Sequence, residues 1–582
     1  MSIEETKNNK AVNKFEEQIS KPLQFTLPRG YYYDKGNLYY NDPNNEDKPP
    51  IWVSSRLEIT ASTRDKNGNN WGRVLEFEDM DGKRKKWVMP MELLTGRQEA
   101  LHSTLLNMGL NMSTSTGAKA LLGNFISRSK GQSIAVCVDR LGWFDGCYVL
   151  PNAVIGDTKG KEILFQSKNP LNLGFDQKGT LEQWKQNISK FGLGNSIINF
   201  SISASLTAPF LSHLGLEGGG FHFRGESSKG KTITLYTAGS VWGSHERKKT
   251  WRATGNGLEE TAQSHNDNLL LLDEMGEMDS RELGRTVYML ANGQGKQRMT
   301  ETQPKQWRIL FLSTGEVGIK SAMLEAGSIA RAGQEVRLID LEAVSGKLGV
   351  FDTLLEGYTN SKEQAEHLEA QTREYYGTAG MEMLTRFINS KAHAMEFIKA
   401  VKTRFIKEHT PKPSNSQVSR VLNRFGVIAG GGELASHYGI TGWEAGEAYQ
   451  ATTNCFNNWL ITQGDITHTK EHKQAIDRIR QFIEQHGLSR FDDLDAHSSL
   501  TGSTSNRVGV RKINDGKMFY YFFPSTFKNE VCKGLDYRSV LNALKIDGFL
   551  KHQPNRLSHL SPSFEGSRKV SYAVKDTILL QE

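Results

Sequence analysis

Eight residues constrain this chain more than any others: Gly225-Glu226-Ser227-Ser228-Lys229-Gly230-Lys231-Thr232. They spell G-x-x-x-x-G-K-[ST], a pattern that works only where a strand enters a glycine-rich turn that opens a helix. The glycines let successive backbone N–H groups turn inward at the helix N-terminus and cradle phosphates. Lys231 then reaches the outer phosphates, and the Thr232 hydroxyl holds Mg²⁺. The flanks agree, because Phe221–Arg224 reads as a strand and KTITLYTAGSVWG as the helix that follows.

The pattern around this motif alternates strand and helix. Leu269-Leu270-Leu271-Leu272-Asp273-Glu274 is an apolar strand ending in two carboxylates, RELGRTVYMLANG a helix, and RILFLSTGE another apolar strand. Strands that are apolar throughout belong in parallel sheets covered on both faces. Asp273 is expected to bind Mg²⁺, and Glu274 to polarise an attacking water. The next strand ends in Ser313-Thr314, either of which would bond a γ-phosphate or the lytic water. Arg331 and Arg337 lie just beyond and are both candidates to reach a neighbouring subunit's nucleotide. On the helix QVSRVLNRFGVIAGGGELA, Arg420 and Arg424 are candidates for a cis-acting arginine of a helical lid, against the plain alternative of a solvated face.

Length and composition set the frame. At 582 residues the chain has room for three or four domains, with 37% hydrophobic and 24% charged residues and a mean hydropathy of −0.51. No apolar run approaches membrane-spanning length, and the N-terminus lacks the apolar core of a secretory signal. Four scattered cysteines form no CxxC pair, so neither a disulfide framework nor a cysteine zinc site is indicated. A cytoplasmic location is expected. The net charge is +7, and from Lys470 onward there are 18 basic against 13 acidic residues, so most of the excess falls in the last fifth. A solvated surface and a polyanion-binding module both fit that excess.

Five segments are expected. Residues 1–24 read as a mobile arm, 25–195 as an α+β N-terminal domain, 196–350 as the nucleotide-binding core, 351–465 as a helical lid and 466–582 as a C-terminal domain. The N-terminal domain includes the hairpin pattern VLEFEDMDGKRKKWVM with Asp81-Gly82 at its turn and the basic run Lys83, Arg84, Lys85 and Lys86. That run reads as a solubilising hairpin tip or as a nucleic-acid contact. No carboxylate cluster or His/Cys spacing in this domain suggests chemistry of its own.

RLGWFDGCYVLPN, FHFRGESSKGKT, LLLLDE, LSTGE and AGQEVRL resemble a bacterial family of uncharacterised P-loop proteins carried by mobile elements. That family includes MCM-like AAA+ helicases of chromosomal cassettes and pathogenicity islands. The resemblance covers roughly residues 25–460 and implies an AAA+ core and a ring-shaped, hexameric, ATP-driven DNA helicase that replicates the element. It places ATP on the 225–232 loop and Mg²⁺ on Thr232 and Asp273, and it makes Ser313 or Thr314 the sensor. The asparagine usual at that sensor is missing. The resemblance also draws attention to Asn292-Gly293-Gln294-Gly295-Lys296-Gln297-Arg298-Met299, where related helicases carry a channel hairpin. There Lys296 and Arg298 would bind DNA phosphates without reading sequence. The C-terminal domain is similar to a winged helix, with Arg538 and Lys545 on its recognition helix and Arg556, Arg568 and Lys569 in or beside the wing. The alternative function is an initiator or transposition regulator that uses ATP as an assembly switch. A protein remodeller is disfavoured, because the 293–298 insert lacks an aromatic-hydrophobic pair.

Overall fold

The computed structural model describes residues 25–580 apart from 46, 169–172, 228, 298–303, 328–331, 344–345, 464–467, 497–505 and 555. The expected arm, 1–24, lies outside the described residues, as do Ser228, Arg298 and Arg331. The chain divides into two compact units, one holding the chain up to His409 with Leu422–Trp459, the other Thr410–Val421 with Leu460–Glu582.

In the larger unit, after the small three-stranded sheet of Tyr31–Asp34, Asn37–Tyr40 and Ile51–Ser55, comes a five-stranded sheet built from β1 (Leu57–Arg64), β2 (Gly72–Glu78), β3 (Arg84–Pro90), β4 (Ser133–Val138) and β5 (Ile163–Phe165). Its order is β5-β4-β1-β2-β3, and the β2–β3 hairpin turns at Asp81-Gly82 as the sequence pattern requires. Leu57, Ile59, Leu75, Phe77 and Trp87 pack beneath it against Leu101, Leu105, Leu122 and Phe125 of the helices Glu99–Asn107 and Thr116–Arg128. The basic run at the hairpin is locally neutralised. Lys85 pairs with Asp79 at 3.2 Å, Arg84 with Glu76, and Lys86 with Glu162 at 3.8 Å.

The second sheet contains the motif. After the buried helix α1 (Ser196–Thr207) come β6 (Gly219–Arg224), α2 (Lys231–Ser240), β7 (Lys248–Thr250), β8 (Asn268–Asp273), α3 (Ser280–Asn292), β9 (Ile309–Gly315) and β10 (Leu338–Glu342). All five strands run parallel in the order β7-β8-β9-β6-β10, so β9 separates the phosphate-loop strand from the strand ending in Asp273. Every residue of β8 and β9 is buried, which is why both read as unbroken apolar runs. The GWFDG segment packs on the base of this sheet, with Trp143 N–H on Asp267 Oδ2 at 3.2 Å and Tyr148 Oη on Asp267 O at 2.6 Å.

Helices α4 (Ser361–Glu374), α5 (Thr378–Asn389), α6 (Lys391–His409), α7 (Ser416–His437) and α8 (Glu447–Gln463) follow, interrupted between 409 and 416 where Pro411 and Pro413 stand. The units divide after His409, within α7 after Val421 and within α8 after Trp459. The smaller unit comprises α9 (Lys470–His486), β11 (Phe491–Asp493), β12 (Gly509–Asn514), β13 (Lys517–Phe522), α10 (Tyr537–Ile546), β14 (Leu550–Lys551) and β15 (Val570–Lys575). Its sheet order is β11-β12-β13-β15-β14, over a core of Ile479, Ile483, Phe522, Phe527, Leu541 and Leu544.

One strand position carries a pH dependence. Asp340 on β10 stands beside His222 of β6 and accepts from Ile319 N–H at 3.4 Å. Burial pushes its carboxyl up to about 6, against the N–H bond and Arg224. A carboxyl raised in the folded state stabilises the fold below its unfolded value near 4, and that stabilisation is lost as pH rises through about 6. Relative to Asp340→Asn, the wild type should therefore lose about 1–1.5 kcal/mol between pH 5 and pH 8. All ten tryptophans lie in the larger unit, so urea unfolding followed by their fluorescence measures this unit alone. A pH-independent gap between the two proteins would contradict the assignment.

Candidate nucleotide site

The phosphate loop leaves the C-terminal end of β6 and enters α2 through Gly230, whose φ of +88° is left-handed. A Cβ there would lie 3.0 Å from Val350 Cγ2, and Val350 N–H braces the loop by donating to Lys229 O at 3.1 Å. Glycine at 230 thus answers both a backbone and a space requirement. Lys231 is buried, with its ammonium on the carbonyls of Gly225 at 2.8 Å and Glu226 at 2.6 Å, which points it into the loop. Glu226 and Ser227 are exposed, and Glu226 lies 3.9 Å from Lys229.

Asp273 ends β8 directly beside this loop. Thr232 Oγ1 is 3.5 Å from its Oδ1, and Thr314 Oγ–H donates to the same oxygen. A phosphate-loop hydroxyl and a buried carboxylate at this spacing form the donor set of a Mg²⁺–nucleotide site, so the residues present fit that group. Glu274 adopts a left-handed backbone (φ +56°), and its N–H is held by Thr314 Oγ1 at 3.1 Å. Its side chain is exposed, yet burial of the carboxyl and the charge of Asp273 raise its pKa, against Lys231, with Glu316 and Glu277 adding to the rise. A carboxylate made more basic beside a phosphate loop is equipped to take a proton from water.

Strand alternation resolves the Ser313/Thr314 pair. Thr314 faces the carboxylates, whereas Ser313 lies in a fully buried relay on the other face. Trp251 Nε1–H donates to Ser313 Oγ at 2.8 Å, and Ser313 bonds His222 Nδ1 at 2.9 Å. His222 Nε2 in turn is 3.0 Å from Val317 O, a carbonyl that only accepts. That fixes the direction of the relay: Nε2 carries the proton and Nδ1 accepts from the serine. Burial lowers the His222 pKa to about 4, so the ring stays neutral.

Sequence reasoning missed Lys248. Its ammonium sits 2.5 Å from Asp273 Oδ2, and the pull of Asp273 raises its pKa although burial opposes this. The residue lies on β7, a three-residue strand whose polar sequence KKT gives no strand signal.

The arginines separate. Arg424 does not face the phosphates. Its guanidinium donates to Val336 O at 3.0 Å, Arg337 O at 3.3 Å and Gly218 O at 3.0 Å, at the N-terminal edge of β6 and β10 and opposite the loop. A Cβ on Gly219 would come within 2.2 Å of that guanidinium, so glycine makes the space. Arg337 is at the same edge, over Tyr288 at 4.5 Å and bonded to Asn292 Oδ1 at 3.0 Å. Arg420 is exposed and belongs to the smaller unit.

The 292–299 insert closes at its base as a hairpin. Gln294 bridges Gln306, Gly295 N–H donates to Lys305 O at 2.9 Å, and Trp307 N–H donates to Gly293 O at 2.9 Å. A Cβ at Gly293 would lie 2.1 Å from Trp307 O. Lys296 is exposed, its N–H held by Glu259 at 3.2 Å. In the smaller unit Arg538, Asn542 and Lys545 share the exposed side of α10, opposite the buried Val540, Leu541 and Leu544. Arg556, Arg568 and Lys569 are exposed as well, Lys569 lying 3.3 Å from Glu565. Among the described residues no helix is long and apolar enough to cross a membrane.

The family described as a domain of unknown function, DUF927, matches residues 31–306, from the N-terminal strands through the phosphate loop and Asp273 to the insert. No curated protein matches the chain. Among solved structures the chain is similar to Cch of SCCmec type IV, described as an active helicase. The TM-score is 0.66 at 19% identity, over 96% of this chain and 100% of that one. The likeness extends over nearly the whole chain and shows a shared multidomain α/β fold. NtrX from Brucella abortus in complex with ADP (12% identity, 50% of this chain and 51% of that one, TM-score 0.17) and the C-terminal region of NrS-1 (10%, 70% and 92%, TM-score 0.25) superpose too loosely to add to this.

Arg424→Ala takes the guanidinium donor from Val336 O and Gly218 O and leaves Arg337 O with the Gly220 N–H alone. It should destabilise the larger unit by about 2–4 kcal/mol, read by tryptophan fluorescence during urea unfolding. ATP affinity should stay within about twofold of wild type, since the side chain is remote from the loop; a selective loss of nucleotide binding would restore its lid role.

Proposed function

We propose that this chain is an ATP-dependent DNA helicase, a ring-forming, hexameric, MCM-like AAA+ motor that replicates a mobile genetic element. The observation that carries the reading is the meeting of Thr232, Thr314 and Lys248 on the Asp273 carboxylate beside the loop holding Lys231. The fold shared with a protein described as an active helicase supports it.

Residues 225–232 hold the ATP phosphates, with Lys231 on the outer ones. Mg²⁺, held by Thr232 and Asp273, supplies neutralisation of phosphate charge. Glu274 orients the attacking water and accepts its proton. Thr314 acts as the sensor, since its one hydroxyl contacts both Asp273 and the Glu274 backbone. Arg331 or Arg337 serves a neighbouring subunit. Arg337 suits that role because it lies at the sheet edge away from its own loop.

The insert whose base is closed by Gln294 and Gln306 enters the ring channel, where Lys296 and Arg298 hold single-stranded DNA by its phosphates. The smaller unit acts as a winged helix that lays Arg538 and Lys545 against a duplex. The exposed Lys296 on a hairpin closed by Gln294 and Gln306 favours a motor over an assembly switch.

Lys231→Ala should lower ATP turnover at least about 100-fold, and Glu274→Gln should do so with ATP binding retained. In wild type the acid limb of the rate should lie above the ordinary glutamate range, and Glu274→Gln should lack it. On 5′- or 3′-tailed duplexes, Lys296→Ala should keep its ATPase and lose strand separation. A wild type that hydrolyses ATP yet separates no substrate would leave the assembly switch as the better account.

A further inference from the structure

The smaller unit contains a side-chain cluster that the proposed motor does not use. Helix α9 is capped by Thr469, whose hydroxyl accepts from His472 N–H at 3.3 Å. His468, one residue before the cap, and His472 in the first turn stack their rings with centroids 4.4 Å apart at 18°. Asp547, which ends α10, turns its carboxylate to both. Oδ1 is 2.9 Å from His472 Nε2 and 3.4 Å from His468 Nε2. The three ligand atoms lie within 4.8 Å of one another. His472 and Asp547 side chains are 12% and 10% exposed, whereas His468 is 35% exposed, so the cluster opens to solvent on one side.

From this geometry we infer that His468, His472 and Asp547 bind a divalent transition metal, Zn²⁺ by preference. Zinc holds imidazole nitrogen at about 2.0–2.1 Å and carboxylate oxygen at about 2.0–2.2 Å. Ligand atoms around a tetrahedral centre therefore stand roughly 3.3–3.5 Å apart; the His468 separation of 3.4 Å falls in that range, and a turn of the stacked His472 ring opens its 2.9 Å contact to admit the ion. Two imidazoles and one carboxylate suit zinc, with Co²⁺ and Ni²⁺ as substitutes, and leave a coordination position for water. Electrostatics point the same way. Asp547 sits at the C-terminal end of α10, where the helix dipole disfavours an anion, and it is largely buried there. A dication held by the carboxylate removes that cost. The backbone is fixed around the site, with Asn415 Nδ2–H donating to His468 O at 2.9 Å. The metal ties the start of α9 to the end of α10, the helix that presents Arg538 and Lys545.

The test uses the full chain, stripped of metal by a chelator and titrated with Zn²⁺ against a chromophoric competitor, with Co²⁺ as the spectroscopic probe. Wild type should take up one equivalent with visible Co²⁺ ligand-field bands. His472→Ala and Asp547→Asn should each weaken that site more than about 100-fold, since outer-shell changes alone cost 10–100-fold. His468→Ala removes the more exposed ligand and guards against misfolding as the cause of any loss. It should shift the Co²⁺ bands and weaken zinc binding with the far-UV spectrum unchanged. A wild type that takes up no zinc, or a His468→Ala that binds Zn²⁺ and Co²⁺ as wild type does, overturns the inference. The readout is independent of ATPase and unwinding, so it stands or falls apart from the proposed function.

Discussion

The carboxylate of Asp273 ties the parallel-sheet core together. It sits at the end of β8, where every residue is buried, and it is met from three directions. Thr232 approaches from the first turn of α2, Thr314 from β9, and the Lys248 ammonium from β7. A buried carboxylate persists only if its oxygens are bonded or its charge is balanced, and here both conditions hold. The parallel register supplies that geometry: strands that all run one way bring their C-terminal ends, with the polar residues placed there, to one edge. The phosphate loop leaves β6 at that same edge.

Behind this edge, the relay from Trp251 through Ser313 and His222 to Val317 O joins β6 and β9 with the residues that follow β7. Each donor in it has one acceptor, so the neutral imidazole and the serine hydroxyl are oriented uniquely. Ser313 is thereby committed to holding the sheet, and Thr314, one residue on and facing the other way, is left for the carboxylates. Two adjacent hydroxyls thus perform different tasks because a strand alternates its faces.

Much of the site was legible in the sequence because its chemistry is local. The glycines, Lys231 and Thr232 are fixed by one loop, and LLLLDE by one buried strand. The helix end before the insert was legible too, since Gly293 is the kind of residue that closes a helix. What could not be read depends on neighbours distant in the chain. Alternation tells that Ser313 and Thr314 face opposite ways, but only the strands beside them say which way is inward. Lys248 becomes visible only once β7 pairs with β8. Arg424 looked like one more arginine on an amphipathic helix, and its carbonyl partners lie far away at Gly218, Val336 and Arg337. Gly219, which makes room for the guanidinium, was its one faint trace. The His468, His472 and Asp547 cluster escaped because its third member is 75 residues beyond the second.

Helix α3 gives the core a second property that follows from its placement. Its N-cap, Asp279, comes five residues after Glu274, and its last residue, Asn292, adjoins the hairpin. Thirteen residues at 1.5 Å each make a rigid element about 20 Å long between the edge that carries Asp273 and the insert. Its buried side, Leu283, Val287 and Leu290, packs in the same core cluster as Leu272, Met275 and Trp307. The hairpin base is further fastened by carboxylates of the helix Gly255–Gln263, Glu259 on Lys296 N–H and Glu260 on Lys305 at 3.1 Å. Coupling between sites needs a packed element that both ends can bias. In the proposed motor α3 offers such a packed element with no hinge inside it, running from the turn after Glu274 to the base of the insert that carries Lys296.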